Sequence, residues 1–251
     1  MNGPADNTTH FGFEKVAAGE KAGRVRGVFD SVASKYDLMN DLMSGGLHRL
    51  WKRFTLERTG LRPGDRALDV ACGTGDLAAG MSRQVGADGF VVMTDINAAM
   101  LGEGRRCLVN RGIVGNVAIA QASGEQLPFA DASFHCVTIG FGLRNFTAKD
   151  VGLAEMARVL KPGGRLLILE FSQPSLGAVQ PLYDLHLSTV LPALGRAVAD
   201  DPDSYRYLGE SIRMHPGQDE LRDMMDEAGL EDSRYFNLSG GIVALHVGYR
   251  Y

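Results

Sequence analysis

The stretch LDVACGTGD, residues 68–76, decides the fold. With Ala67 in front it opens as ALDV, the composition of a buried strand. Gly73 and Gly75 then let the backbone turn sharply and approach a ligand, because neither carries a Cβ. A helix is predicted over Leu77–Gln84, and the amides at its start can hold polar atoms of a ligand. Asp69, at the strand end, is placed to orient the turn and to meet a cationic amino group. A turn without a ligand is the competing reading. A P-loop is excluded, since GTGD lacks the following Gly-Lys-Ser/Thr that holds triphosphate and magnesium.

Downstream the same rhythm repeats. GFVVMTD (89–95) reads as a strand, INAAMLGEGRRCLVN (96–110) as its helix, and NVAIAQ (116–121) and FHCVTI (134–139) as two more strands. A helix is predicted over Val151–Leu160, KPGG turns the chain, and RLLILEF (165–171) resumes the sheet. Short apolar strands alternating with helices point to an α/β fold with a mostly parallel, doubly wound sheet. At the end, SRYFNL and GIVALHVGY flank SGG and predict an antiparallel hairpin, preceded by a helix over Gln218–Ala228. Upstream, residues 1–12 read as a loose arm, Glu14–Lys35 as a helix interrupted by Gly19, Gly23 and Gly27, and His48–Arg58 as a second helix. The whole chain, 1–251, reads as one domain. A helical N-terminal extension (1–60) faces the substrate, and a helical lid insertion (176–215) centres on the Leu- and Val-rich stretch Leu176–Ala199.

Asp95 ends the strand after the glycine turn, so a parallel sheet sets its carboxylate, with Ile96 next to it, beside that turn. Two carboxylate oxygens can accept from the two hydroxyls of a ribose; a helix N-cap is the other role open to Asp95. After the third strand, Ala122, Ser123 and Gly124 form a polar corner suited to an adenine edge, with Leu127 as apolar surface. Three adjacent loops would then cover one elongated nucleoside ligand. A nicotinamide dinucleotide could use a similar turn and acid, although Ala78 stands where its third glycine is usual.

A net charge of -4 gives no global attraction to nucleic acid. The six cations between Arg49 and Arg66 read as a solvated helix surface followed by a loop, with a membrane-facing or anionic-ligand-facing patch as the alternative. Cys72, Cys107 and Cys136 form no CxxC pair and, with the six histidines, no metal-ligand cluster. The chain shows neither a secretory signal nor an apolar span of membrane length, so the expected location is cytoplasmic, with peripheral contact on the cytoplasmic membrane face left open.

Taken together, THFGFEKVAAGEKAGRVRGVFDSVASKYDLMNDLMSGGLHRLWKR, LDVACGTGDLA, IGFGLRNFTAKD and EMARVLKPGGRLLILEFSQP resemble the ubiquinone/menaquinone biosynthesis C-methyltransferase family over about residues 8–251. ASKYDLMNDLMS and FGLRN carry the narrower likeness. The resemblance implies a Rossmann-like class I methyltransferase with a seven-stranded sheet. It implies S-adenosylmethionine as cofactor and methyl transfer to a ring carbon of a polyprenylated quinol, either demethylmenaquinol or a 2-methoxy-6-polyprenyl-1,4-benzoquinol. Thr74, Asp95, Ser123, Gly124 and Gly140 map to cofactor positions, with Ser123 where many members carry Asn and Gly140 where many carry Ser. A homodimer or a complex of quinone-biosynthesis enzymes is compatible with it, and no stretch of the sequence names such a partner. A nucleotide-dependent oxidoreductase and a noncatalytic assembly subunit are the readings it competes with.

The sulfonium methyl is already electrophilic, so no metal is required; the protein must align the accepting carbon and stabilise a developing phenolate. Arg144 is the leading catalytic candidate, as a phenolate stabiliser or a holder of a relay water, because its pKa is too high for a free base. Asn145 can place the ring or that water. Tyr36 can hydrogen-bond a quinol oxygen and His48 can relay a proton, each against a packing role.

Overall fold

In the computed structural model, which describes residues 8–32, 40, 41, 43–174, 183, 185, 189 and 202–251, the described residues open with a hairpin that takes up residues 8–12 of the expected loose arm, whose residues 1–7 lie outside the described ones. Strand β1 (Thr8–Phe11) pairs antiparallel with β2 (Glu14–Ala17) across a turn at Gly12, which adopts φ +59°. Threonine, phenylalanine and valine favour extended backbone, and this shortens the predicted first helix. Helix α1 therefore spans Ala18–Val32 rather than starting at Glu14. Helix α2 (His48–Leu56) follows.

The main body is a seven-stranded sheet. Its strands are β3 (Arg66–Val70), β4 (Phe90–Asp95), β5 (Val117–Gln121), β6 (Phe134–Gly140), β7 (Leu160–Phe171), β8 (Glu231–Leu238) and β9 (Val243–Tyr249), in the order β5-β4-β3-β6-β7-β9-β8. Strands β5 to β7 are parallel neighbours; β9 runs antiparallel to both β7 and β8. The interleaved helices are α3 (Asp76–Val85), α4 (Ala98–Asn110), α5 (Lys149–Val159), α6 (Pro202–Arg213) and α7 (Gln218–Glu227). The KPGG turn is absorbed into the start of β7, with Gly163 at φ +80°.

Both faces of the sheet are covered. Trp51, Ala78, Met81, Met93 and Phe171 belong to one core, and Leu68, Val137, Leu153, Met156 and Met225 to the other. Residues of the central strands are therefore apolar on both sides, which is why they read as unbroken runs. From β3 the chain steps outward through β4 to β5 and then returns to the far side of β3 as β6. That reversal opens a crevice at the carboxyl ends of β3 and β6, the place where open α/β sheets bind ligands. Of the expected lid, Leu176–Ala199 lies outside the described residues apart from Tyr183, Leu185 and Thr189. Its C-terminal part contains α6.

Candidate active site

Two adjoining cavities occupy this crevice. The larger, about 100 Å³, is lined by Gly73, Asp95, Ile96, Ala122, Ser123, Gly124 and Asn145, and α1 closes over it with Ala22, Val25, Arg26 and Phe29. The smaller, about 20 Å³, is lined by Lys52, Asp69, Thr74, Asp76 and Gly140 among others. Ala71 and Phe141 line both. These two wall residues carry side chains at positive φ, +49° and +58°, a conformation that costs energy without a glycine and that clusters at functional sites.

The division matters chemically. Asp95 accepts from the backbone N–H of Gly73 at 3.0 Å and of Asn97 at 2.9 Å. Burial pushes its carboxyl up against these donors. The N-cap of α4 is Asn97, not Asp95: the Asn97 side chain accepts from Met100 N at 3.0 Å. Asp69, 1% exposed, accepts from the Thr138 hydroxyl at 2.7 Å and from Ala78 N at 3.1 Å. Its burial pushes the carboxyl up to about 7. Among the described residues neither acid has a salt-bridge partner. One carboxylate facing each cavity without an ion-pair partner is an acceptor set suited to ribose hydroxyls in the larger space and an ammonium in the smaller. S-adenosylmethionine carries those groups in that order, so the residues present fit it.

Not every residue singled out in the sequence reaches the cavities. Gly75, at φ +79°, lines neither; a Cβ there would lie 2.6 Å from Met93 Cε, so its task is to let α3 start close against β4. Arg144 lines neither, because its guanidinium is buried against Glu170 Oε1 at 2.8 Å and the Phe141 carbonyl. His48 lines neither; its Nδ1 lies 3.0 Å from Ser44 Oγ, and burial together with Lys52 lowers its pKa. Tyr36 falls outside the described residues. Asn145 lines the larger cavity and accepts from Tyr207 OH at 3.0 Å.

Other residues of the site carried no signal on their own. Glu125 accepts from the amides of Thr147 and Ala148, tying the Ser123 corner to the chain after FGLRN. Lys21 donates to the Phe146 carbonyl at 2.7 Å, and burial and Lys149 bring its pKa down to about 8. Asn97 also donates to Asp30 Oδ1 at 2.8 Å, fastening α1 over the cavity. The asparagine two residues past Asp95 is the one feature from which a helix start could have been read.

The basic run is no single patch. Arg49 pairs with Asp41, Lys52 with Asp76 and Arg53 with Glu57, while Arg58 stacks on Phe54. Arg66 sits at the opposite end of β3 from the site. No group of three or more histidine, cysteine or acidic residues among the described ones could hold a metal, and no described helix is long and apolar enough to cross a membrane.

The chain matches the model of the ubiE/COQ5 methyltransferase family over residues 16–250. It is 61% identical, over 97% of its length and 98% of the relative's, to the ubiquinone/menaquinone biosynthesis C-methyltransferase UbiE of Teredinibacter turnerae. To the protein of the same name from Vibrio cholerae it is 58% identical, over 100% of its length and 97% of the relative's. Among solved structures it is similar to a SAM-dependent methyltransferase from Aquifex aeolicus, with a TM-score of 0.59 at 18% identity over 80% of this chain and 89% of that one, which shows the shared fold. This chain belongs to the ubiE/COQ5 methyltransferase family.

Proposed function

We propose that the protein transfers the methyl group of S-adenosylmethionine to a ring carbon of a polyprenylated quinol. The observation that carries this reading is the pair of carboxylates, half-buried Asp95 and buried Asp69, facing two adjoining cavities. The names of the relatives supply the acceptor class. When bound, the cofactor supplies an electrophilic methyl on sulfur. Asp95 holds the ribose hydroxyls, the Ala122–Gly124 corner borders the adenine, and Asp69 with Thr74 holds the amino-acid end. The Ala71–Phe141 wall lies between these ends. Asn145 orients the acceptor ring or a water beside it, and Arg144 positions Asn145 through the turn it anchors.

The acceptor's tail requires an apolar environment, and a peripheral seat on a bilayer belongs to the same proposal. Leu47, just before α2, and Leu50, on it, are 42% and 61% exposed, beside exposed Arg49 and Arg53. Apolar side chains flanked by arginines suit an anionic interface. Binding to vesicles with and without anionic lipid, across salt, measures it; no binding to either would remove the membrane part and leave the chemistry standing. The chemistry is tested by titrating the purified protein with S-adenosylmethionine and with nicotinamide dinucleotides, then offering a panel of reduced quinol precursors. Binding of the first alone, with turnover on the quinols, is expected. Nicotinamide binding would favour an oxidoreductase, and cofactor binding without transfer to any quinol would favour an assembly subunit.

A further inference from the structure

The smaller cavity contains a cation that the basic run in the sequence disguises. Lys52 stands on α2 but faces inward, away from the exposed Arg49 and Arg53. Its side chain is 14% exposed, and its Nζ lies 2.8 Å from Asp76 Oδ2. Asp76 in turn receives Arg111 at 2.7 Å on its other oxygen. Burial opposes ionisation of Asp76, yet Lys52 and Arg111 outweigh it and hold the carboxyl down to about 2. Two cations on one carboxylate leave a net positive charge. An ammonium has three donors, of which Asp76 engages one. Lys52 is the one cationic side chain among the described residues lining this cavity.

The amino-acid end of the cofactor is a zwitterion, and Asp69 answers its ammonium only. We infer that Lys52 binds the methionine carboxylate of S-adenosylmethionine, with Asp76 holding the ammonium in place. This rests on the cofactor reading above. It also gives the N-terminal extension a share in cofactor binding, since Lys52 belongs to α2 and Asp76 is the first residue of α3, next to the glycine turn. Cofactor binding then fixes α2 against that turn.

The test compares S-adenosylmethionine with decarboxylated S-adenosylmethionine, which keeps the sulfonium and the amine but lacks the carboxylate. Affinities of the full chain are measured by calorimetry for the wild type, Lys52→Met and Lys52→Arg, with thermal unfolding as the check on folding; Lys52→Gln replaces the Met variant if that one does not fold. A charge-assisted hydrogen bond leads us to expect a loss of about 10- to 100-fold for S-adenosylmethionine in Lys52→Met. Decarboxylated ligand should change by no more than about 2-fold, and Lys52→Arg should recover part of the loss. Equal losses for both ligands would mean that Lys52 acts only through packing and would overturn the inference. So would unchanged affinities, or a carboxylate-dependent loss found instead in Arg26→Ala at the rim of the larger cavity. Failure of the wild type to bind either ligand would overturn the cofactor reading itself, an outcome distinct from the others.

Discussion

Arg144 Nη1 lies 2.8 Å from Glu170 Oε1, with the two side chains 3% and 2% exposed. The pair joins the turn after β6 to the end of β7, and Glu170 also accepts from the backbone N–H of Arg144 at 3.3 Å. A buried ion pair forms only where geometry and extra hydrogen bonds offset the loss of hydration. Here it fixes the backbone of residues 143–145, which carries Asn145 into the cavity. The guanidinium thereby acts on the site through the turn.

Replacing Arg144 by Ala should therefore cost stability as well as turnover. An uncompensated Glu170 in that position leads us to expect a loss of about 3–5 kcal/mol, measured by chemical denaturation. The double variant Arg144→Met with Glu170→Leu should recover much of that stability while turnover stays low. Unchanged stability in Arg144→Ala would contradict the anchoring role.

Cofactor affinity should depend on pH through Asp69. Its carboxyl is pushed up to about 7 by burial, against the donors Thr138 and Ala78. The ionised form attracts an ammonium and the protonated form does not, so affinity is full above about pH 7 and weakens as pH falls below it. Calorimetric titrations between pH 8 and pH 5.5 measure this trend. Asp69→Asn should bind more weakly and show a flat profile over the same window.

Gly124 is a position where a single methyl group has a large effect. A Cβ there would run into the Phe146 ring and come within 2.9 Å of Val70 Cγ1. Overpacking of this kind costs about 1–3 kcal/mol. Gly124→Ala should lower the melting temperature and weaken cofactor binding, because Phe146 lines the same cavity. The variant Phe146→Leu in that background should restore part of both.

Acid should destabilise the fold through His246, which is 2% exposed and donates to the Gln218 carbonyl through Nε2 at 2.9 Å. Burial lowers its pKa to about 4, against the Gln218 carbonyl. The unfolded chain takes up a proton below about pH 6.5 that the folded chain refuses until about pH 4. Stability from this group is thus full above pH 6.5, falls through that window, and levels off below it. The total is about 3 kcal/mol. Denaturation midpoints for the wild type and His246→Gln, compared from pH 7.5 to 4.5, should converge as pH falls.

The sheet was legible because each central strand is a short apolar run closed by a turn, and because Gly73, Asp95 and the Ser123 corner each lie at or just past a strand end. The initial hairpin was not, since four-residue strands around Gly12 leave too short a pattern to separate from a polar arm. Lys52 looked like one cation among six, and only the packing of α2 against α3 turns it inward. Arg144 and Glu170 are both visible in their motifs, yet nothing in the sequence says that residues 26 positions apart meet in a dry core. Pattern reports which face of an element is buried. It does not report which buried charges find each other.

The most direct test of the account is to incubate the purified protein with S-adenosylmethionine labelled with carbon-13 in its methyl group and a reduced polyprenyl quinol precursor, and to locate the label by NMR. The account predicts label on a ring carbon, lost in Asp95→Ala. Label on a quinol oxygen, or none on the quinol while the protein binds the cofactor, would contradict it.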